Sequence, residues 1–334
     1  MPRHRTTFWL LAVLTVAWPH SARAQAADST RRVTTRQEYD GWFEQVKNWG
    51  RWGASSAIGT LNLITPAKRQ RAAASVQVGV SVSLAHEFAT DSSLNNPSPL
   101  RLRTHTEADS GDVMWAWEDL AIDSFHGFAN SHMDWLSHTM YRGALFGGLG
   151  ADDIRPGGVT QRGVHSLTNG IVTRGVLIDA AALKGVSDLA PGVAITVADL
   201  ARWEKQTGVR VEAGDVLLVR TGRWARERRL GPWKIEGSAP GLHASVAVWL
   251  HDRGVAAIGS DAVNDVMPSL VAGMFNPLHQ LALVGMGMPL FDNLDLEAAV
   301  QEALAQRRWT FLFVAAPLRI KGGTGSPLNP LAIF

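Results

Sequence analysis

The chain reads as an α/β fold with a mixed sheet, on three observations. Apolar strand-like runs at 171–179, 215–221, 255–260 and 309–316 are interleaved with capped helical stretches at 196–208, 243–253 and 294–307. Strands and helices follow no strict βαβ rhythm, so strands of both directions are expected in one sheet. No repeat, low-complexity tract or linker interrupts residues 38–334, which read as a single domain. At 46% hydrophobic, the 334 residues can fill a substantial core.

The elements follow in order. Residues 1–24 have the pattern of a secretory signal peptide: Arg3 and Arg5, an apolar run over 8–18, then Ala22-Arg23-Ala24 as a small-x-small cleavage site. Cleavage before Gln25 and a periplasmic or secreted location are therefore expected. That run is too short to span a bilayer comfortably, and no other segment is long and apolar enough, so no stable membrane insertion is expected. Residues 25–37 are polar and aperiodic, the composition of a flexible N-terminus. Tyr39, Trp42, Phe43, Trp49 and Trp52 form an aromatic arm that packs on the domain or on a second subunit. Thr65-Pro66 caps a helix that reaches Val76. Residues 80–86 and 101–107 read as strands around a Ser/Asn/Pro loop at 91–99. Thr196, Asp199 and Gly208 mark both ends of one helix, Gly254 ends another, and the strand 255–260 leads into Asp261.

Charge and composition exclude several classes. Lys plus Arg number 32 against 30 Asp plus Glu, a formal +2. Arg3, Arg5 and Arg23 leave with the leader, which takes the balance to 29 − 30 = −1. The basic character thus lies partly in the leader and gives no case for nucleic acid. There are no cysteines, which removes disulfides and thiolate chemistry; any metal must be held by His, Asp or Glu. Neither G-x-S-x-G nor a phosphate-binding G-x-x-x-x-G-K-[ST] occurs, and Gly148/Gly150 and Gly285/Gly287 do not extend to a dinucleotide fingerprint. The Gly-rich stretch 322–327 offers backbone N–H groups to an oxyanion, or is simply a tight turn.

The segment 125–142, FHGFANSHMDWLSHTMYR, concentrates the chemistry. It holds three of the eleven histidines, His126, His132 and His138, with Asp134. His132 and Asp134, two apart, share a face on a strand; Asp134 and His138, four apart, share one on a helix. A strand running into a helix near Asp134 would aim all three at one point. Imidazole and carboxylate suit Zn²⁺ or Mn²⁺ and also serve as general acids and bases. The bland alternative is a satisfied His–Asp hydrogen bond. Alternatives stay open elsewhere too: His279 as a loop or core residue beside Pro277, Asp292 as a helix N-cap, Asp261 as site or cap. Arg174 and Arg220 suit a substrate carboxylate or structural pairs, and Trp115, Trp117 and Trp135 a substrate wall or core.

SHMDWLSH resembles the T-H-x-D-x-x-x-H core of the cyclase/kynurenine formamidase-like family of metal-dependent hydrolases, in particular a longer bacterial branch. Gly59-Thr60-Leu61-Asn62-Leu63, the strand 173–179, Gly214-Asp215, Gly259-Ser260-Asp261, His279, MPLFDNL at 288–294 and the closing GGTGSPLNP fit the same pattern. The resemblance implies a swivelling β/β/α cyclase-like fold, a homodimer, and metal-assisted hydrolysis of an amide, cyclic amide or ester of a small, aromatic molecule. It puts metal ligands at His132 and Asp134, the acid/base at His138, and a distal ligand pair at His279 and Asp292, where the family usually has Glu. A further metal His is implied at position 128; Phe128 stands there, and His126, two residues back, is the candidate replacement. A metal-independent cyclase or dehydratase using His138 and His126, and a non-catalytic periplasmic binding protein, are the competing readings.

Overall fold

The chain is described from a computed structural model that covers residues 33–53, 56–108 and 114–334. The expected leader, 1–24, and residues 25–32 of the expected flexible segment lie outside the described residues. Among the described residues nine strands build one mixed sheet: β1 (Ser81–Ser83), β2 (His132–Asp134), β3 (Ile171–Asp179), β4 (Val216–Arg220), β5 (Ala257–Ser260), β6 (Leu290–Asp292), β7 (Thr310–Ala315), β8 (Gly325–Pro327) and β9 (Leu331–Ile333). Their order across the sheet is β1-β9-β7-β3-β4-β5-β6-β2-β8. The four central strands β3 to β6 run parallel. Both flanks are antiparallel, with β7 beside β3 and β2 beside β6.

Side chains alternate between two cores, one on each face. Val176, Ile178, Leu217, Val219, Ile258 and Leu290 point to one face, where the helices Val197–Thr207 and Val246–Arg253 cover them. Leu177, Leu218, Ala257, Phe291 and Met133 point to the other, against Ala299, Val300 and Ala303 of the helix Glu297–Ala305. Burial on both faces explains why the central strands read as unbroken apolar runs. It also fixes the site. Because Met133 faces the second core, its neighbours His132 and Asp134 must face the first, and β6 puts Asp292 there by the same alternation.

The helix Val197–Thr207 has the expected capping box between Thr196 and Asp199 and ends at a left-handed Gly208. Thr65 caps Pro66–Ala74 as expected. The aromatic arm is the helix Arg36–Val46, whose Tyr39 and Phe43 are buried on the main domain; Trp49 donates to Val284 O at 2.7 Å.

Several expectations need correcting. Ahead of residue 38, Thr34 pairs with the 270–272 backbone through two hydrogen bonds, and Thr35 forms a capping box with Glu38. The strand expected over 80–86 shrinks to β1. No helix follows β2; residues 135–140 form a turn, and the His138 N–H donates to Trp135 O at 2.8 Å. In the stretch 322–327, Gly325–Pro327 is strand β8, paired with β2, and the N–H groups of Gly322 and Gly323 are used by His165 and Ile320. The strand expected over 101–107 is present as Arg101–Ala108, and it pairs with Met114–Ala121 in a hairpin that is almost wholly exposed. Trp115 and Trp117 sit on it at 64% and 44% exposure, so they are neither core nor substrate wall, whereas Trp135 is fully buried core.

Candidate functional site

Strand β2 lies between β6 and β8, and its register assembles the site. His132 is opposite Asp292, and Asp134 is opposite Leu290 on one side and Gly325 on the other. His132, Asp134 and Asp292 are all nearly fully buried. His279 enters from above this face, on the helical segment that starts at Pro277. Its Nε2 lies 3.5 Å from Asp134 Oδ2 and 3.2 Å from Asp292 Oδ2. His132 Nε2 lies 3.4 Å from the other Asp134 oxygen. His126 reaches that oxygen with Nδ1 at 2.7 Å, while its Nε2 meets Thr324 Oγ1 at 3.3 Å. The turn at Gly127, whose N–H returns to Phe125 O, lets His126 come back into the site past Phe128. Phe128 itself packs towards Ile235, Val263 and Met267.

His138 completes the cluster from the turn after β2. Its Nε2 is 3.6 Å from Asp134 Oδ2, and its ring stacks on His126 with centroids 4.1 Å apart. Every sequence-predicted site residue therefore converges on one cavity of about 200 Å³, walled on its apolar side by Phe128, Val263, Met267 and Phe275. A larger cavity of about 620 Å³, lined in part by His86, Arg223 and Trp224, adjoins the 124–130 loop, and among the described residues it holds no comparable donor cluster.

Among the described residues two groups of donors can hold a metal ion: His126, His132 and Asp134, and Asp134, His279 and Asp292, with Asp134 common to both. The donor chemistry fits a divalent cation. His132 Nδ1 faces Asn130 O at 2.9 Å and so carries the proton there, which leaves Nε2 as the lone pair turned to Asp134. His279 does the same through Asp265, whose Oδ2 accepts from Nδ1 at 2.6 Å. Lone pairs facing carboxylates need a proton or a metal between them.

The electrostatics agree. Burial alone would disfavour a charged His279, but Asp292, with hydrogen bonds to Asp134 and Asp265, outweighs it and lifts the pKa well above its ordinary value. Burial likewise opposes protonation of His132, and the hydrogen bond and charge of Asp134 overcome it. For Asp134 burial pushes the carboxyl up; the charge of His138 and hydrogen bonds from His126, His132 and His279 win and hold it well below the carboxylate range. His138 differs. Burial dominates, the Asp134 attraction is smaller, and its pKa falls to about 4. It is a neutral imidazole at pH 7.

The sequence profile of the Cyclase family, described as "Putative cyclase", matches residues 82–264, just over half of the chain. The chain belongs to this cyclase family. Among solved structures it is similar to the crystal structure of a novel cyclase, 27% identical, with a TM-score of 0.79 over 87% of this chain and 99% of the other. It shares its fold more distantly with the isatin hydrolases A of Ralstonia solanacearum and Labrenzia aggregata. Each is 23% identical over 76% of this chain and 91% and 93% of theirs, with TM-scores of 0.50 and 0.52. No curated protein matches the chain by sequence.

Within this cyclase-family framework the remaining candidates resolve into structural roles. Asp261 is a buried cap: it accepts the N–H groups of Thr221, Gly222 and Arg223 and the Thr221 hydroxyl. Arg220 pairs with Glu297 and Asp179, and Arg174 with Asp215, so neither is free for substrate. Asp292 caps no helix, since the following helix starts only at Glu297, with Asp295 Oδ1 accepting the Glu297 N–H. Sequence reasoning missed Asp265 and Thr324, which orient His279 and His126. Asp265 is fourteen residues from the His it serves, and no local spacing signals that contact.

Proposed function

We propose that this protein is a metal-dependent hydrolase that cleaves an amide, cyclic amide or ester of a small molecule, with Zn²⁺ or Mn²⁺ held by His126, His132, Asp134, His279 and Asp292. The observation that carries this reading is the pair of donor groups sharing Asp134, set beside one histidine that is kept neutral. A bound divalent ion supplies Lewis-acid polarisation and makes water acidic near neutral pH. The chain's own residues do the rest. His138, uncharged at pH 7 and 29% exposed, can accept a proton from water at Nε2 and return it to the leaving nitrogen or oxygen. Asn276 lines the cavity with a buried Oδ1 that has no protein partner, a position suited to a substrate N–H. Phe128, Val263, Met267 and Phe275 exclude water around the hydrocarbon part of the substrate.

The likeness to isatin hydrolases, one of them bound to the product analogue thioisatinate, supports putting lactams of that kind first among test substrates. A periplasmic or secreted location goes with the reading, supported by the leader pattern in residues 1–24. A homodimer goes with it as well, supported by the exposed apolar side chains of the hairpin. The stacked His126–His138 pair also suits a metal-independent acid/base enzyme, such as a cyclase or dehydratase. One experiment separates the two: turnover of N-formyl aromatic amides, cyclic imides, isatin-like lactams and lactones, before and after chelation. The hydrolase reading expects turnover to vanish with the metal and return with Zn²⁺ or Mn²⁺. Turnover untouched by complete metal removal would reject it.

A further inference from the structure

Three backbone carbonyls of the loop between His126 and His132 converge on two buried side chains from elsewhere in the chain. Arg223 donates through Nη2 to Phe128 O and through Nη1 to Asn293 Oδ1 at 2.5 Å. Asn293 donates through Nδ2 to Gly127 O at 2.7 Å and to Asn130 O at 3.3 Å. Its own carbonyl accepts from Ser131 Oγ at 2.7 Å. Asn130 O is in turn the acceptor for His132 Nδ1. Neither side chain is there for solubility: Arg223 is 1% exposed and Asn293 is fully buried in a left-handed conformation, φ 54°.

Burial lowers the Arg223 pKa to about 10. Its nearest carboxylate, Glu227, lies 3.9 Å from Nε. Nε itself has no hydrogen-bond partner. A cation held that deep, at that cost, with its donors spent on a loop carbonyl and on Asn293, needs a reason beyond an ion pair. The loop supplies one. It has no regular secondary structure from Phe125 to Ser131, yet it must present two imidazoles to Asp134 at once.

We infer that Arg223 and Asn293 are positioning residues of the metal centre: they clamp the 127–130 backbone, and so hold His126 and His132 in the geometry that faces Asp134. The clamp acts at both ends of the loop. At Gly127 and Phe128 it fixes the turn that brings His126 back into the site. At Asn130 it fixes the carbonyl that keeps the His132 proton on Nδ1 and Nε2 open. The inference deepens the metal-dependent reading and rests on it for its purpose, though the clamp itself can be measured without metal.

The test uses Asn293→Gly, which keeps the positive φ that glycine tolerates while deleting the amide, and Arg223→Met, which keeps the stem and removes the charge. In metal-free full-length protein, hydrogen exchange of the segment spanning 125–131 should accelerate about tenfold or more in each variant, while strands β3 to β5 keep wild-type protection. Co²⁺ affinity, followed by visible absorption, should fall about 10- to 100-fold. If Arg223→Met does not fold, Asn293→Gly decides alone. Wild-type exchange in 125–131, or acceleration spread evenly over the whole sheet, would overturn the clamp. Wild-type protein that takes up no Co²⁺ would sink the metal reading instead, and with it the purpose assigned to the clamp, whatever the exchange data show.

Discussion

Replacing Asp265 by Asn should weaken metal binding without touching any metal-ligating atom. The Asp265 Oδ2 accepts the His279 Nδ1 proton at 2.6 Å, and the same carboxylate accepts the N–H groups of Leu278 and His279. An Asn amide is nearly the same shape but turns one acceptor into a donor. Its NH₂ would then face either the Leu278 N–H or both the His279 N–H and the imidazole. The second arrangement is relieved only if the His279 proton moves to Nε2, the nitrogen turned to Asp134 and Asp292. A hydrogen bond to a charged group contributes about 1.5–3 kcal/mol. Loss of such a partner of a metal-bound His costs roughly 10- to 100-fold in affinity, or about 1.4–2.8 kcal/mol at 1.4 kcal/mol per tenfold. The two ranges coincide. A loss of about 10- to 100-fold is therefore expected. Titration of metal-free protein with Co²⁺ reads the affinity directly, and far-UV dichroism checks that the variant folds. A folded Asp265→Asn protein with Co²⁺ affinity within about twofold of wild type would refute the reasoning that this carboxylate sets the state of His279.

Three further outcomes follow from the same geometry. His138→Ala should lower kcat on a cleaved substrate by about 10² or more while Co²⁺ still binds, since His138 is assigned proton transfer rather than ligation; unchanged kcat would remove it from that role. In Gly325→Ala the new Cβ would meet Met133 O at 2.4 Å and His126 Cε1 at 2.5 Å. The variant should lose about 1–3 kcal/mol of stability and bind Co²⁺ more weakly, both measurable by melting with and without metal. Asp199 is pushed up by burial but pulled further down by Lys184 and Thr196, so its folded pKa lies below the ordinary 3.8. A depressed carboxylate stabilises the fold above its unfolded value, and that stabilisation is lost as pH falls through the folded one. The Tm gap between wild type and Asp199→Asn should thus be full above about pH 5 and close in stronger acid; a gap independent of pH would contradict this.

Much of this fold is written locally. Ile171–Asp179 is a strand with the bounds its apolar run predicts, because both faces are buried and no alternation is needed to find it. Thr196 and Gly208 announce their helix because a hydroxyl cap and a left-handed glycine are chemical requirements of helix ends. The site is legible for a similar reason: His132 and Asp134 share a strand, so their spacing alone sets a common face. What fails is whatever depends on long-range pairing. His138 reaches Asp134 from a turn rather than a helix, a distinction that spacing cannot make over four residues. β6 and β8 are three residues each and are defined by their partners, β5 and β2 for β6 and β2 for β8, since neither Leu290–Asp292 nor Gly325–Pro327 has a strand pattern of its own. Asp265, Thr324, Arg223 and Asn293 act on histidines 14 to 198 residues away, and only the folded chain brings them there.

The proposed hydrolysis requires the His/Asp cluster on β2 and β6 to be a metal centre. The most direct test is metal content and turnover measured on the same preparation: elemental analysis of purified protein at neutral pH, then amide or lactam cleavage before chelation, after chelation and after readdition. The expected result is at least one divalent ion per chain, loss of turnover with the ion, recovery with Zn²⁺ or Mn²⁺, and neither ion nor turnover in Asp134→Ala. A protein that holds no divalent ion yet cleaves its substrate at an unchanged rate would contradict it.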